Sequence, residues 1–361
     1  MGSVIESSSY VTNLPREYFV SEEIFQTELK KVFSRQWLYA GQTSQVPNPG
    51  DYYVRDVGPE SLIICRDSSG RLRAYFNVCR HRGSRICGAD ESGNTNRFSC
   101  PYHRWTYNVA GELRVAPGTT DGKDFDYADF GLHEAHCDSF FGSIYVYLAD
   151  EEPPASLHDT LAPLTFDLES LAAVEPERTK VAVRRVYDVN CNWKTLLENN
   201  TECYHCPGGH TDLCATWDPF QSVGTPSMRE SGENDRFVPL VEGAKTFSPD
   251  GEWLCAKPLG TPQLEGFSTG FMVYPNYSSV LYFADHAIAL VGEPISLGRS
   301  RLVAEWIVHE DAVEGVDYDP GALMKLWDVT NLEDIEFAER NYNGLKSMRF
   351  TPVPHPHIGR S

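Results

Sequence analysis

The segment Asn199-Asn200-Thr201-Glu202-Cys203-Tyr204-His205-Cys206-Pro207-Gly208-Gly209-His210 sets two histidines five residues apart, with a carboxylate three residues before the first. A helix over Trp193 to Tyr204 that ends near Pro207 puts Glu202 and His205 on one face, because residues three apart share a helical face. The Gly208-Gly209 turn then swings His210 back toward His205. Two imidazoles from one bent segment, with a carboxylate from elsewhere, make the face that holds Fe(II) and leaves positions open for oxygen. Alone, the segment also reads as a helix end with incidental histidines. The upstream sequence bears on that choice.

There the chain carries Cys79-Arg80-His81 and, after 18 intervening residues, Cys100-Pro101-Tyr102-His103. Each half offers one thiolate and one imidazole. A Cys2His2 zinc finger instead puts both cysteines in one knuckle and both histidines in the other. One of each per loop suits a [2Fe–2S] centre with Cys79 and Cys100 on one iron and His81 and His103 on the other, which is a Rieske ligand set. Zinc is the competing metal. Gly83 and Pro101 suit the tight turns of such loops, and Arg82, Arg85 and Trp105 could line them. Cys87 lies outside both spacings and reads as a buried free thiol.

Around these clusters the patterning changes twice. Residues 15 to 40 have apolar spacing near that of a helix, starting at Ser21-Glu22-Glu23. From Gln42 to about Asp150 short alternating strands, among them Leu62-Ile63-Ile64-Cys65 and Ser143-Ile144-Tyr145-Val146-Tyr147-Leu148, predict a compact β-domain. Glu151-Glu152-Pro153-Pro154 is a linker signal. Beyond it, alternation over Lys180 to Val189 and again from Gly270 to Val308 predicts strands, with long loops over residues 207 to 266 and a closing helix from Gly321 to Leu345. An antiparallel sheet partnered by helices is an α+β arrangement.

A chain of 361 residues can hold two cores, and its 41% hydrophobic and 23% charged content is ordinary for a globular protein. The net charge of −20 argues against nucleic acid and anionic membrane surfaces as partners. The Ser-rich start shows no basic-then-apolar signal peptide, and no apolar run approaches the ~18 residues of a membrane helix. A cytoplasmic location is expected. Ten cysteines then suit metal ligation and core packing better than disulfides.

With both clusters in view, the chain resembles the α subunits of Rieske non-haem iron oxygenases of the ring-hydroxylating type. Its nearest likeness is to the branch of glycine betaine and choline monooxygenases and N-demethylases. Asn77 to Arg85, Cys100 to His103, Glu198 to Cys206 and Trp306 to Asp319 carry the likeness, which extends over nearly the whole length. The resemblance implies an all-β Rieske [2Fe–2S] domain (42–150) inserted in a helix-grip (START-like) antiparallel-sheet catalytic domain (1–41 and 151–361). It implies a homotrimer in which the cluster of one subunit faces the mononuclear Fe(II) of its neighbour. By position, His205 and His210 become iron ligands, and Glu202 becomes the carboxylate between a Rieske histidine and an iron-ligating histidine across subunits. Asn199 stands with it in the same catalytic motif. The third ligand falls on the closing helix, where Asp328, Glu333, Asp334, Glu336 and Glu339 compete. Asp334, the aspartate before an apolar residue, matches the family's ligand.

No Gly-rich dinucleotide motif and no further cysteine set appear, so electrons must come from a separate NAD(P)H-dependent reductase. The chain would be a terminal oxygenase acting with O2 on a small molecule. The aromatic-rich stretch from 207 to 290, including Trp217, Phe271, Tyr282 and Phe283, should line the substrate pocket. Aromatic faces attract quaternary ammonium groups. N-demethylation of a betaine-like compound is therefore expected, with hydroxylation of an aromatic or other small organic acid as the alternative. An electron carrier that holds only a Rieske cluster would leave the His205–His210 segment without a use.

Overall fold

The computed structural model describes residues 13–122, 124–165, 168–201, 203–217, 238–260, 264–273 and 278–353. The chain opens on α1 (Glu17–Val20) and α2 (Glu22–Lys31). Ser21 caps α2 by accepting from Ile24 N, and the acids of its first turn and lysines of its last complement the helix dipole. The helical spacing read in the sequence continues past Lys31, but the chain leaves the helix there. Leu38–Gln42 is strand β1, buried at every position, and a segment buried all round carries no periodicity to tell strand from helix.

The β-rich half follows: β2 (Asp51–Val57), β3 (Glu60–Arg66), β4 (Leu72–Phe76), β5 (Ser92–Asn94), β6 (Arg97–Ser99), β7 (Thr106–Asn108), β8 (Leu113–Val115), β9 (Glu134–Phe140) and β10 (Ser143–Tyr147). Among the described residues these make a seven-stranded sheet, in the order β1-β10-β9-β4-β3-β2-β5, and a three-stranded sheet β6-β7-β8. All pairs are antiparallel.

Two short helices, α3 (Leu157–Leu161) and α4 (Leu168–Ala173), lead into the second half. It comprises β11 (Thr179–Val189), α5 (Trp193–Thr201), α6 (Cys206–Gly209), α7 (Thr211–Cys214), β12 (Val238–Pro239), β13 (Phe267–Val273), β14 (Ser278–Tyr282), β15 (Ala287–Ser296), β16 (Arg299–His309) and α8 (Pro320–Leu345). The strands form a six-stranded antiparallel sheet ordered β11-β16-β15-β14-β13-β12. Asp319 caps α8 by accepting from Ala322 N, and Pro320 fits the first turn, where its missing N–H is not needed.

Period-two alternation assigns the two faces of this second sheet. Ile288, Leu290, Leu302, Ala304, Trp306 and Val308 join one core, which α8 completes with Leu323, Leu326, Ala338 and Tyr342. Ala287, Ala289, Val291, Val303 and Ile307 join the other, shared with Tyr39, Tyr145, Leu157 and Leu171. Each large side chain so buried contributes about 1.5–3 kcal/mol. On the second face Glu305 receives the hydroxyl of Tyr39 at 2.7 Å and an ion pair from the buried Arg55. That pair ties the seven-stranded sheet to the six-stranded one. Among the described residues, no helix is long and apolar enough to cross a membrane.

Candidate metal centres

The first centre grows from two loops beside the three-stranded sheet. Asn77 pins one loop by accepting from Ile86 N at 2.9 Å and Cys87 N at 3.0 Å. Cys79 N donates to Ser84 O across a turn in which Gly83 sits at φ +73°, a region glycine enters without strain. In the other loop Cys100 N donates to Trp105 O, with Arg104 left-handed at φ +60°. The loops bring the four donors named from sequence together. The His81 and His103 rings meet at 4.6 Å between centroids, and His81 stacks on Trp105 at 5.0 Å. The Cys79 and Cys100 sulfurs lie within hydrogen-bonding reach of each other.

The environment sorts these donors by chemistry. Both sulfurs are buried, whereas His81 is exposed and His103 half-buried. Burial pushes the Cys79 thiol up. It acts the same way at Cys100, but the backbone N–H groups of Tyr102 and His103 outweigh it and lower that thiol. Tyr107 Oη accepts from Arg80 N and lies 3.4 Å from Cys79 Sγ. Sulfur set inward under N–H donors and imidazole set outward fit a Rieske cluster. Cys87 is a buried free thiol, pushed up to about 12 by desolvation.

The second centre forms where α5, α6 and α8 meet. α5 stops at Thr201, short of the Tyr204 expected, and Pro207 starts α6 rather than closing α5. A proline loses nothing in a helix's first turn. His210 N donates to Cys206 O, which returns its ring to 5.1 Å from that of His205. A Cβ on Gly209 would stand 2.6 Å from Phe337, whose ring lies 5.7 Å and 5.9 Å from the two imidazoles. Only glycine fits there.

Asp334 reaches this pair from the buried stripe of α8. Its Oδ1 lies 3.1 Å from His205 Nε2 and 2.9 Å from His210 Nε2, and Asn199 Nδ2 donates to the same oxygen at 2.6 Å. Glu333 Oε2 is 2.8 Å from His210 Nδ1. Burial pushes Asp334 up, but its bonds to His205, His210 and Asn199 outweigh that and hold it below the usual carboxylate range. Burial pushes His210 down, while Asp334 and Glu333 raise it overall. The remaining acids of α8 are engaged elsewhere. Asp328 accepts from Tyr187 and pairs with Arg185, Glu336 pairs with Arg340, and Glu339 accepts from Asn190. Two imidazole nitrogens and one carboxylate oxygen around one point fit a mononuclear iron.

One expectation is corrected. Cys203 and Cys206 are joined in a disulfide, so His205 sits between bonded cysteines. The Cys-x-x-Cys spacing was the signal that a purely packing-and-ligation reading of the cysteines passed over. Glu202 lies outside the described residues.

The aromatic residues named from sequence divide between the two faces of the second sheet. Phe283 stacks on Phe247 at 5.0 Å, and Trp217 meets Phe247 edge-on at 6.4 Å. Phe247 also stacks on Trp327 at 5.1 Å. Phe271 and Tyr282 belong to the opposite face, against Phe140 and the carbonyl of Phe141. Adjacent strand residues point to opposite sides, so Tyr282 and Phe283 cannot line one cavity. Sequence reading missed Phe247 and Trp327. Trp327 precedes Asp334 by seven residues, two turns along the same helix face, just as Trp217 follows His210 by seven.

A family model described as ring hydroxylating alpha subunit (catalytic domain) matches residues 176–361, and one for the Rieske [2Fe-2S] domain matches residues 36–126. The chain belongs to the ring-hydroxylating Rieske oxygenase α subunits. This Rieske oxygenase is 32% identical to the glycine betaine monooxygenase oxygenase subunit of Pseudomonas aeruginosa (strain UCBPP-PA14), over 98% of this chain and 86% of that one. It is 31% identical to the N,N-dimethyl phenylurea N-demethylase subunit alpha of Sphingobium sp. (strain YBL2), over 56% of this chain and 45% of the relative. Among solved structures it shares the fold of a quaternary ammonium Rieske monooxygenase of carnitine oxidation, described for its inter-subunit electron transfer. The TM-score is 0.74 at 22% identity, covering 94% of this chain and 87% of that one.

As a Rieske oxygenase, the protein is the terminal oxygenase component of a system that draws its electrons from a reductase. Its family carries a Rieske [2Fe–2S] cluster and a mononuclear iron, the first supplying electrons and the second oxygen activation.

Proposed function

We propose that this oxygenase removes a methyl group oxidatively from a betaine-like quaternary ammonium compound. The observation that carries the reading is the aromatic group Trp217, Phe247, Phe283 and Trp327. It stands seven residues from His210 along one segment and two helical turns from Asp334 along another. A quaternary ammonium has no N–H to donate, so ring faces are the neutral surface that attracts it. The names of the betaine monooxygenase and N-demethylase relatives point the same way. The reaction balances as follows. One methyl C–H is hydroxylated with O2, two electrons and two protons, and one oxygen atom leaves as water; the C–N bond then breaks, its electron pair stays on nitrogen as a tertiary amine, and the hydroxymethyl group departs as formaldehyde with loss of its hydroxyl proton.

In this reading Cys79, His81, Cys100 and His103 hold the cluster, and His205, His210 and Asp334 hold the iron. Asn199 and Glu333 fix the orientation of Asp334 and His210, a role that hydrogen-bonded neighbours of metal ligands commonly fill. Glu202 is assigned as the carboxylate that links the cluster of one subunit to the iron of the next in a homotrimer. The relative described for inter-subunit electron transfer supports that assignment. Residues 42–150 act as the cluster domain, and 1–41 with 151–361 as the catalytic domain. Reduction comes from a separate NAD(P)H-dependent protein.

The test is oxygen uptake by the enzyme with a generic reductase across betaines and aromatic acids, scored for formaldehyde. Formaldehyde equal to the oxygen consumed with glycine betaine supports the reading. Turnover of an aromatic acid alone, without formaldehyde, replaces it with ring hydroxylation.

A further inference from the structure

The hairpin turn between β14 and β15 holds a buried carboxylate–imidazole pair that neither metal centre uses. Asp285 and His286 are both fully buried. Asp285 Oδ1 accepts from His286 Nδ1 at 2.8 Å and from the Thr246 hydroxyl. Its Oδ2 accepts from Leu254 N and from Cys255 N, the latter at 2.9 Å. Burial pushes this carboxyl up, but His286, Thr246 and the Cys255 N–H outweigh it and keep Asp285 ionised. Four donors therefore serve one carboxylate, and His286 is held by one of its nitrogens.

The other nitrogen of His286 has nothing to bond. Nε2 is buried without a hydrogen-bond partner. Buried polar atoms of this kind are rare and mark a place where a further partner belongs. The ring lies 4.9 Å from Phe283, which stacks on Phe247, which stacks on Trp327. The imidazole thus ends a row of rings whose other end, Trp327, shares a helix face with Asp334. Trp327 Nε1 is also buried and unpartnered.

We propose that His286, braced by Asp285, receives the carboxylate of a zwitterionic substrate whose quaternary ammonium lies on the neighbouring ring faces. This rests on the quaternary ammonium reading for the cationic end, but the anionic end is argued separately from the dyad. In that arrangement Nδ1 faces Asp285 and Nε2 donates to the substrate carboxylate. A hydrogen bond to an ionised acceptor in a buried site is among the strong ones. His286 is then a specificity residue, deciding between a betaine and a cation that lacks the carboxylate.

The test is calorimetric binding of glycine betaine, tetramethylammonium and benzoate to the metal-loaded enzyme and to two variants. His286→Asn keeps an amide nitrogen where Nδ1 bonds Asp285 and deletes the outer nitrogen. His286→Gln places an amide nitrogen near the Nε2 position. The Asn variant should bind glycine betaine and benzoate about tenfold or more weakly, leave tetramethylammonium unchanged, and be partly rescued by Gln. A structural role alone would not move the betaine-to-tetramethylammonium ratio, and an unchanged ratio overturns the proposal. If the Asn variant does not fold, His286→Leu, which deletes both nitrogens at similar volume, decides by the same ratio, a drop supporting the anchor and no change overturning it. If benzoate weakens while wild type binds neither ammonium ligand, the anchor stands and the quaternary ammonium reading falls. Failure of wild type to bind any of the three refutes both.

Discussion

Asn199 Nδ2 stands 2.6 Å from Asp334 Oδ1, the same oxygen that faces the Nε2 atoms of His205 and His210. One carboxylate oxygen is therefore held by three nitrogens from two elements, α5 and the α6 turn. A buried carboxylate with so many partners is fixed in charge and direction before any metal arrives. Replacing Asn199 with Ala should weaken the mononuclear iron site about 10- to 100-fold, while the cluster stays loaded. Chelator competition on the reconstituted protein measures this. Equal affinity in both proteins would assign Asn199 a packing role only.

The cluster offers an independent check. Tyr107 Oη is 3.4 Å from Cys79 Sγ, and a hydroxyl donating to a ligand sulfur stabilises the reduced, more negative state. Tyr107→Phe should keep the cluster's visible spectrum and lower its reduction potential. An unchanged potential in film voltammetry would mean the hydroxyl points elsewhere. A colourless, zinc-loaded protein from anaerobic purification would remove the cluster assignment altogether.

A third expectation concerns stability against pH. Glu293 lines a 280 Å³ cavity between the two large sheets, beside Arg184, Arg301 and Asp56. Desolvation raises its pKa to about 7 against the pull of Arg55, Arg184 and Arg301. A raised folded-state pKa gives stability that is fully present below the ordinary value near pH 4.5 and lost as pH rises through 7. The loss amounts to about 3 kcal/mol. Glu293→Gln should flatten that part of the unfolding curve between pH 5 and 8. Parallel curves for the two proteins would show that water reaches the carboxyl.

How much of this was legible beforehand depended on how local the signal was. The Cys79–His81 and Cys100–His103 pairs each lie within a few residues, so their spacing exposes them, and the His205–His210 turn gains its reading from standing in the same chain as that cluster. Asp334 does not. Five acids share α8, and most of what separates them is tertiary: Arg185 and Tyr187 occupy Asp328 and Asn190 occupies Glu339, while Arg340 holds Glu336 along the helix itself. The pocket aromatics fail for the opposite reason. Strand alternation was available to separate Tyr282 from Phe283, yet which face turns toward α8 is fixed by the fold. His286 carried no sequence signal beyond a histidine in a hairpin turn. The strands of the second sheet read from their runs of β-branched and aromatic residues between turn residues, since β15 and β16 are buried on both faces and carry little polar alternation.

Glu202 is open to a test of its charge. Glu202→Gln keeps the side chain's size and one acceptor oxygen and removes its charge, so both centres should assemble and the external reductase should still reduce the cluster. Reoxidation of the reduced cluster on adding substrate and oxygen should then stall, with product falling in parallel. Wild-type reoxidation and yield in a single-turnover experiment would remove Glu202 from the proposed electron path.

The central claim is that His205, His210 and Asp334 together hold one mononuclear iron, separate from the cluster. Iron and acid-labile sulfide should be counted in Asp334→Ala beside Asp328→Ala, with Mössbauer spectra to divide cluster iron from mononuclear iron. The account predicts that Asp334→Ala keeps its sulfide and cluster signal and loses the mononuclear component, while Asp328→Ala keeps both. Mononuclear iron retained in Asp334→Ala, or lost in Asp328→Ala, would contradict it.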